Sequence, residues 1–180
     1  YRPGERWQRP HHDMRIVVET PDIVAVAFNV PVAEFDTADS LQDVNAIRDL
    51  GPDPLREDFD RDAAIARLGS RADMEIADAL LDQTAIAGLG NIYKSETLFA
   101  SAINPFTPVH QLTHEQLTAI VNAAVKLLRA NVADTGRGMS TYGGLRRTTG
   151  RFDPGARFWV YGRGGKPCRR CGTPIERAKQ

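Results

Sequence analysis

Three groups of residues have types and spacing suited to chemistry. The first is Cys168-Arg169-Arg170-Cys171-Gly172, the only two cysteines of the sequence. A C-x-x-C pair followed by glycine is a tight knuckle that can present two thiolates to one zinc ion. A structural zinc takes four ligands, and His11, His12, His110 and His114 lie far upstream. Two readings stand: half of a zinc site whose second pair follows Gln180, or an unmetallated redox pair of thiols. The second group is Gly88-Leu89-Gly90-Asn91-Ile92-Tyr93-Lys94. Its glycines allow a tight turn and close backbone approach. Asn91 is a candidate N-cap for a following helix. The start of a helix offers free N–H groups and a positive dipole end, to which Asn91 adds an amide and Lys94 a charge. This is a candidate phosphate clamp, and equally a plain glycine-ended helix followed by a capped one. The third group is the arginine- and glycine-rich stretch 136–157, leading into Phe158-Trp159-Val160-Tyr161-Gly162-Arg163. Guanidinium groups grip phosphates in pairs of bonds, although a solvated basic loop has the same composition.

The elements that must position these groups are legible in part. Residues 14–19 and 23–30 are rich in valine and isoleucine and are separated by Thr20-Pro21-Asp22. They predict an antiparallel pair, joined by a third strand at 32–36. So few strands close no core by themselves. Leu50-Gly51-Pro52-Asp53-Pro54-Leu55 predicts a break. Helices follow over 58–68, with Asp58 or Asp60 as cap, over 73–83 and over 91–103. The clearest runs from Thr113 to Ala130. Thr113 and Gln116 make a capping box there. Leu117, Ile120, Val121, Ala124, Val125 and Leu128 recur on one face, which predicts a core stripe. Phe158 to Tyr161 predicts a short strand.

With 180 residues at 42% hydrophobic, the sequence can bury a core. The net charge is zero but unevenly placed: residues 136–180 hold eleven Lys/Arg against two acidic residues. That asymmetry suits a basic face or tail beside an acidic body. No run approaches the roughly 18 apolar residues of a membrane span. The first residues contain neither an initiator methionine nor an apolar signal core, so the sequence is expected to open within a longer protein. The thiol pair points to a reducing, cytoplasmic setting.

Taken together, Leu50-Gly51-Pro52-Asp53, Gly88 to Glu96, Val160-Tyr161-Gly162-Arg163 and Pro167 to Ile175 resemble the formamidopyrimidine-DNA glycosylase and endonuclease VIII family in order and near its spacing. Leu80-Leu81-Asp82-Gln83 and the opening Tyr1 to Trp7 look more like the endonuclease VIII branch, which excises oxidised pyrimidines. The Arg-Arg-Phe segment of the purine branch is not found after residues 14–30.

The resemblance implies an α+β protein. Residues 1–40 would be the last strands of a β-sandwich and 41–56 a linker. A helix–two-turn–helix domain would occupy 57–135, a flexible basic loop 136–157 and the first half of a zinc finger 158–180. It implies a bacterial, cytoplasmic, monomeric enzyme bound to damaged double-stranded DNA, with no membrane. Gly88, Gly90, Asn91 and Lys94 would meet a DNA phosphate. Tyr161 and Arg163 would lie on the phosphate side of the finger entrance, and Cys168 and Cys171 would be zinc ligands. Asp49 stands where some relatives carry a DNA-contacting arginine, with Arg48 one place before it.

The family reaction uses the secondary amine of an N-terminal proline, which forms a Schiff base at C1′, helped by a neighbouring glutamate and a sandwich lysine. Pro3 is internal, and Lys94 and Lys126 fall outside the sandwich segment. No catalytic residue is therefore expected within these 180 residues, and a polypeptide of these alone is expected to be inactive. Two other readings remain: a non-catalytic helix–two-turn–helix binding module, and a zinc-ribbon interaction protein with an unrelated helical body.

Overall fold

The computed structural model describes residues 1–31, 33, 35, 37, 40, 44–132, 147–151 and 154–178. The strand expected at 32–36 lies largely outside these residues, as does most of the basic loop expected at 136–157. Two compact units are present, Tyr1–Ile47 and Arg48–Gln180.

In the first unit, β1 (Met14–Glu19) pairs antiparallel with β2 (Val24–Phe28), with Val17 opposite Val26 and an irregularity between Met14 and Ile16. Thr20 closes the hairpin: its N–H donates to the Ile23 carbonyl at 2.8 Å, and its hydroxyl accepts from the Ile23 N–H at 3.0 Å. Tyr1 extends the pairing by exchanging two backbone bonds with Val24. Trp7 stacks on His11 at 4.3 Å and meets Phe28 edge-on. Of this unit's hydrophobic residues only Val24 is buried among those described, as expected for a pair of strands without a second layer.

The second unit is helical. A single turn, α1 (Asn45–Arg48), spans the boundary between the two units in the sequence. Next come α2 (Arg61–Gly69), the short α3 (Ile76–Ala79), α4 (Asn91–Ser101) and α5 (His114–Val132). Asp60 caps α2 by accepting from the Ala63 N–H at 2.9 Å, so of the two candidate caps it is the one used. The capping box of α5 forms as its sequence requires: the Thr113 N–H donates to Gln116 Oε1 at 2.9 Å and the Gln116 N–H to the Thr113 hydroxyl at 3.2 Å. All six residues of the α5 stripe are buried. They pack with Leu68, Ile76, Leu80, Ile86, Leu89 and Leu98 into one core. Each large aliphatic side chain so buried is favoured by about 1.5–3 kcal/mol.

Two expectations give way. The helix predicted over 73–83 is a single turn, because the chain leaves the helical path after Leu80. Asp82 and Gln83 then bond to nearby backbone in competition with helical bonding. Phe158 to Tyr161 form no strand. The N–H groups of residues 159–161 all donate to one side chain, Glu96, and none is left for a ladder.

Candidate nucleic-acid interface

The turn before α4 is built by Gln83. Its amide nitrogen donates to the carbonyls of Leu81 at 3.0 Å and Leu89 at 2.9 Å, while its oxygen accepts from the Gly88 N–H at 2.9 Å. Gly88 sits at φ +83°, a conformation that costs a residue with a side chain far more than glycine. The Leu50–Asp53 segment lies against the same turn. The Gly51 N–H donates to the Gln83 carbonyl at 2.8 Å, and the Ala87 N–H to the Pro52 carbonyl at 3.0 Å. A Cβ on Gly51 would fall 2.6 Å from the Ala85 carbonyl carbon, so only glycine fits. The segment expected to be a mere break thus supports the turn. Arg129 of α5 holds its far end, donating to the carbonyls of Pro54 at 2.9 Å and Arg56 at 3.0 Å.

Asn91 is not the N-cap. Gly90 takes that place in extended conformation, its carbonyl accepting from the Lys94 N–H at 2.9 Å. Asn91 is the first helical residue and is exposed. Its side-chain amide has no partner among the described residues. No side chain caps α4, and its first turn has no acidic residue. The tip of the helix therefore faces solvent with its positive end open, a setting that favours an anion. Gly88 and Gly90 are exposed beside it, and Lys94 is half-buried one turn on.

The segment carrying Tyr161 and Arg163 is fastened to the middle of the same helix. Glu96 is completely buried. Its Oε1 accepts from the N–H groups of Val160 and Tyr161, both at 2.8 Å; its Oε2 accepts from the Trp159 N–H at 2.9 Å and from the Thr148 hydroxyl. Trp159 stacks on Phe99 with centroids 5.8 Å apart, and the Arg170 guanidinium lies 4.5 Å from the Phe99 centroid and 5.0 Å from that of Trp159. Tyr161 is 38% exposed. Arg163 is half-buried and donates to the carbonyls of Trp159 and Pro167. At least part of its donor set thus shapes the bend it sits in.

A tight backbone turn runs through Cys168 and Cys171. The Cys168 N–H donates to the Thr173 carbonyl at 2.7 Å, the Gly172 N–H to the Cys168 carbonyl at 2.9 Å, and the Arg170 N–H points at Cys168 Sγ at 3.4 Å. At Cys171, the Thr173 side chain and then its backbone hold the thiol below its ordinary pKa. This donor set fits two of the four positions of a structural zinc. Among the described residues no cluster of three or more His, Cys, Asp or Glu could hold a metal by itself.

Sequence reasoning missed Gln83, Glu96 and Arg129. Gln83 read as the end of a helix and of the Leu80–Gln83 stretch, Glu96 as the last residue of the Gly88–Glu96 motif, neither with a task, and Arg129 drew no reading.

The family profile described as the formamidopyrimidine-DNA glycosylase H2TH domain matches residues 50–142. The chain is 36% identical to a probable endonuclease 8 2 of Streptomyces coelicolor over all of its own length and 61% of that protein. It is 36% identical to the DNA-(apurinic or apyrimidinic site) lyase Nei2 of Mycolicibacterium smegmatis over 98% of its length and 64% of that protein. Its backbone resembles that of the Lactococcus lactis Fpg in complex with abasic-site DNA, with a TM-score of 0.62 and 31% identity over 79% of this chain and 51% of that one. The chain therefore spans between about half and just under two thirds of the length of these relatives.

Proposed function

The chain belongs to the formamidopyrimidine-DNA glycosylase and endonuclease VIII family, and from that premise we propose that it is the DNA-binding portion of a base-excision-repair glycosylase with AP lyase activity on oxidised bases, pyrimidines foremost. The carrying observation is the open start of α4, where exposed Asn91 and N–H groups without a side-chain cap face solvent and the helix's own first turn holds no acidic residue. Asn91, the backbone at Gly88 and Gly90, and Lys94 take a phosphate of the damaged strand. Tyr161 and Arg163 stand at the entrance of the finger. Cys168 and Cys171 supply two ligands to a structural zinc, whose part is to fix the finger's shape. The bacterial relatives support a bacterial, cytoplasmic setting, and the Fpg solved with abasic-site DNA supports duplex DNA as the partner of what we take to be a monomer.

Bond breaking needs an amine nucleophile, because only nitrogen forms the imine that allows elimination at the sugar. Pro3 is internal and its nitrogen is an amide. The nucleophile of the whole protein is assigned to an N-terminal proline outside these residues, and a polypeptide of residues 1–180 alone is expected to cut nothing.

The test uses the full-length protein with duplexes carrying an oxidised pyrimidine or an abasic site. Borohydride should trap a covalent complex. Asn91→Ala should weaken binding by about 1–2 kcal/mol, the scale of a hydrogen bond to a charged group. No trapped species, together with equal affinity for intact and abasic duplex, would replace this reading with a non-catalytic binding module.

A further inference from the structure

Glu96 is a charged residue type in a place that ordinarily excludes charge. It is fully buried, yet no cation pairs with it among the described residues. A carboxylate taken out of water costs several kcal/mol unless hydrogen bonds replace its hydration. Here three successive backbone N–H groups and one hydroxyl do so. Three consecutive amides converging on one anion form a nest, the arrangement that proteins use to hold bound phosphate. In this molecule the anion is the protein's own side chain.

The position of that side chain matters more than its stability. Glu96 lies on α4, five residues after Asn91. The backbone it holds leads through Tyr161 and Arg163 to the cysteine knuckle, and Arg170 of that knuckle returns to Phe99 and Trp159 beside it. One rigid helix thus carries the open phosphate-binding tip at its start and the root of the finger at its middle, about one and a half turns on. We propose that Glu96 is a positioning residue for DNA recognition: it sets the distance and angle between the α4 tip and the finger, so that both grip the same duplex at once. The proposal rests on the DNA-binding function above. Two grips on a rigid bracket act with a high effective concentration, which a loosened bracket forfeits. Glutamine is the informative replacement. It keeps the size of the side chain but sets an NH2 group against N–H donors.

Full-length wild-type, Glu96→Gln and Glu96→Asp proteins would be compared by hydrogen–deuterium exchange and by binding to an abasic-site duplex across a salt series. Glu96→Gln should speed exchange in a peptide covering residues 158–163 while residues 114–132 stay protected. Its Kd should rise about tenfold, and its salt slope should fall by about one phosphate contact. Glu96→Asp, which keeps the charge, should recover part of both. Faster exchange at 158–163 with unchanged Kd and slope would make Glu96 a purely structural residue and overturn the proposal, as would unchanged exchange. Should Glu96→Gln lose protection in α5, Glu96→Asp decides by the same readouts. A wild-type protein that fails to bind the duplex would sink the functional reading and this proposal with it; binding by the wild type with no change in the variants would sink only this one.

Discussion

Asp82 closes the turn after α3 with both carboxylate oxygens. One accepts from the Thr84 N–H at 2.9 Å and its hydroxyl at 2.6 Å, and the other from Arg71 Nε at 2.8 Å. The Thr84 hydroxyl above all, and then Arg71, pull its pKa from near 3.8 to about 2. A depressed carboxylate favours the folded state above its unfolded pKa, and that contribution is lost as pH falls through the folded value. Urea unfolding should therefore show stability falling by about 1–2 kcal/mol between roughly pH 4 and pH 2 from this group. Asp82→Asn should remove that part of the pH dependence, and an unchanged profile would show the bonds to be energetically idle. At this scale the sequence was readable only where a side chain acts on its own neighbours, as with Asp60 and Thr113. Glu96 was not, since its donors lie at residues 148 and 159–161 and a single glutamate in a helix gives no sign of what will fold over it.

At the scale of elements, α5 was legible because its capping box and apolar stripe are both local periodic signals, and each predicted residue is buried. The α4 start was legible to within one residue: Gly90 displaced Asn91 as cap because the turn held by Gln83 delivers the backbone already extended at Gly90. The supposed strand at Phe158–Tyr161 failed because a run of aromatic residues and one valine says nothing about where their N–H groups go. Gly51 joins two elements that the sequence treats as separate. Gly51→Ala would force a methyl group to 2.6 Å from Ala85 backbone, where neither partner is a flexible side chain. The expected loss is about 3 kcal/mol, the upper range for overpacking. It would be read as a lower denaturation midpoint, with weaker DNA binding as the turn shifts. A midpoint unchanged within error would mean that the two segments part without cost.

For the whole molecule, charge gives the coarse answer and geometry qualifies it. Residues 136–180 carry a net +9 in a chain that is neutral overall, which suggested a basic face or a solvated tail. Several of these cations hold the backbone together: Arg147 donates to the Arg151 carbonyl, Arg163 to that of Pro167, and Arg169 to that of Phe158. The basic surface is thus partly its own scaffold. Binding of full-length protein to an abasic duplex should still weaken by about 100-fold between 50 and 200 mM salt, as about four released phosphate counterions require. Affinity indifferent to salt would remove the phosphate grip from the account.

The three bonds of Gln83 have one more consequence. Because the bend before α4 is pinned from within, by an amide that spans Leu81, Gly88 and Leu89, its shape does not wait for a ligand. A strand arriving there meets a mould already cast, and little conformational freedom remains to be surrendered on contact.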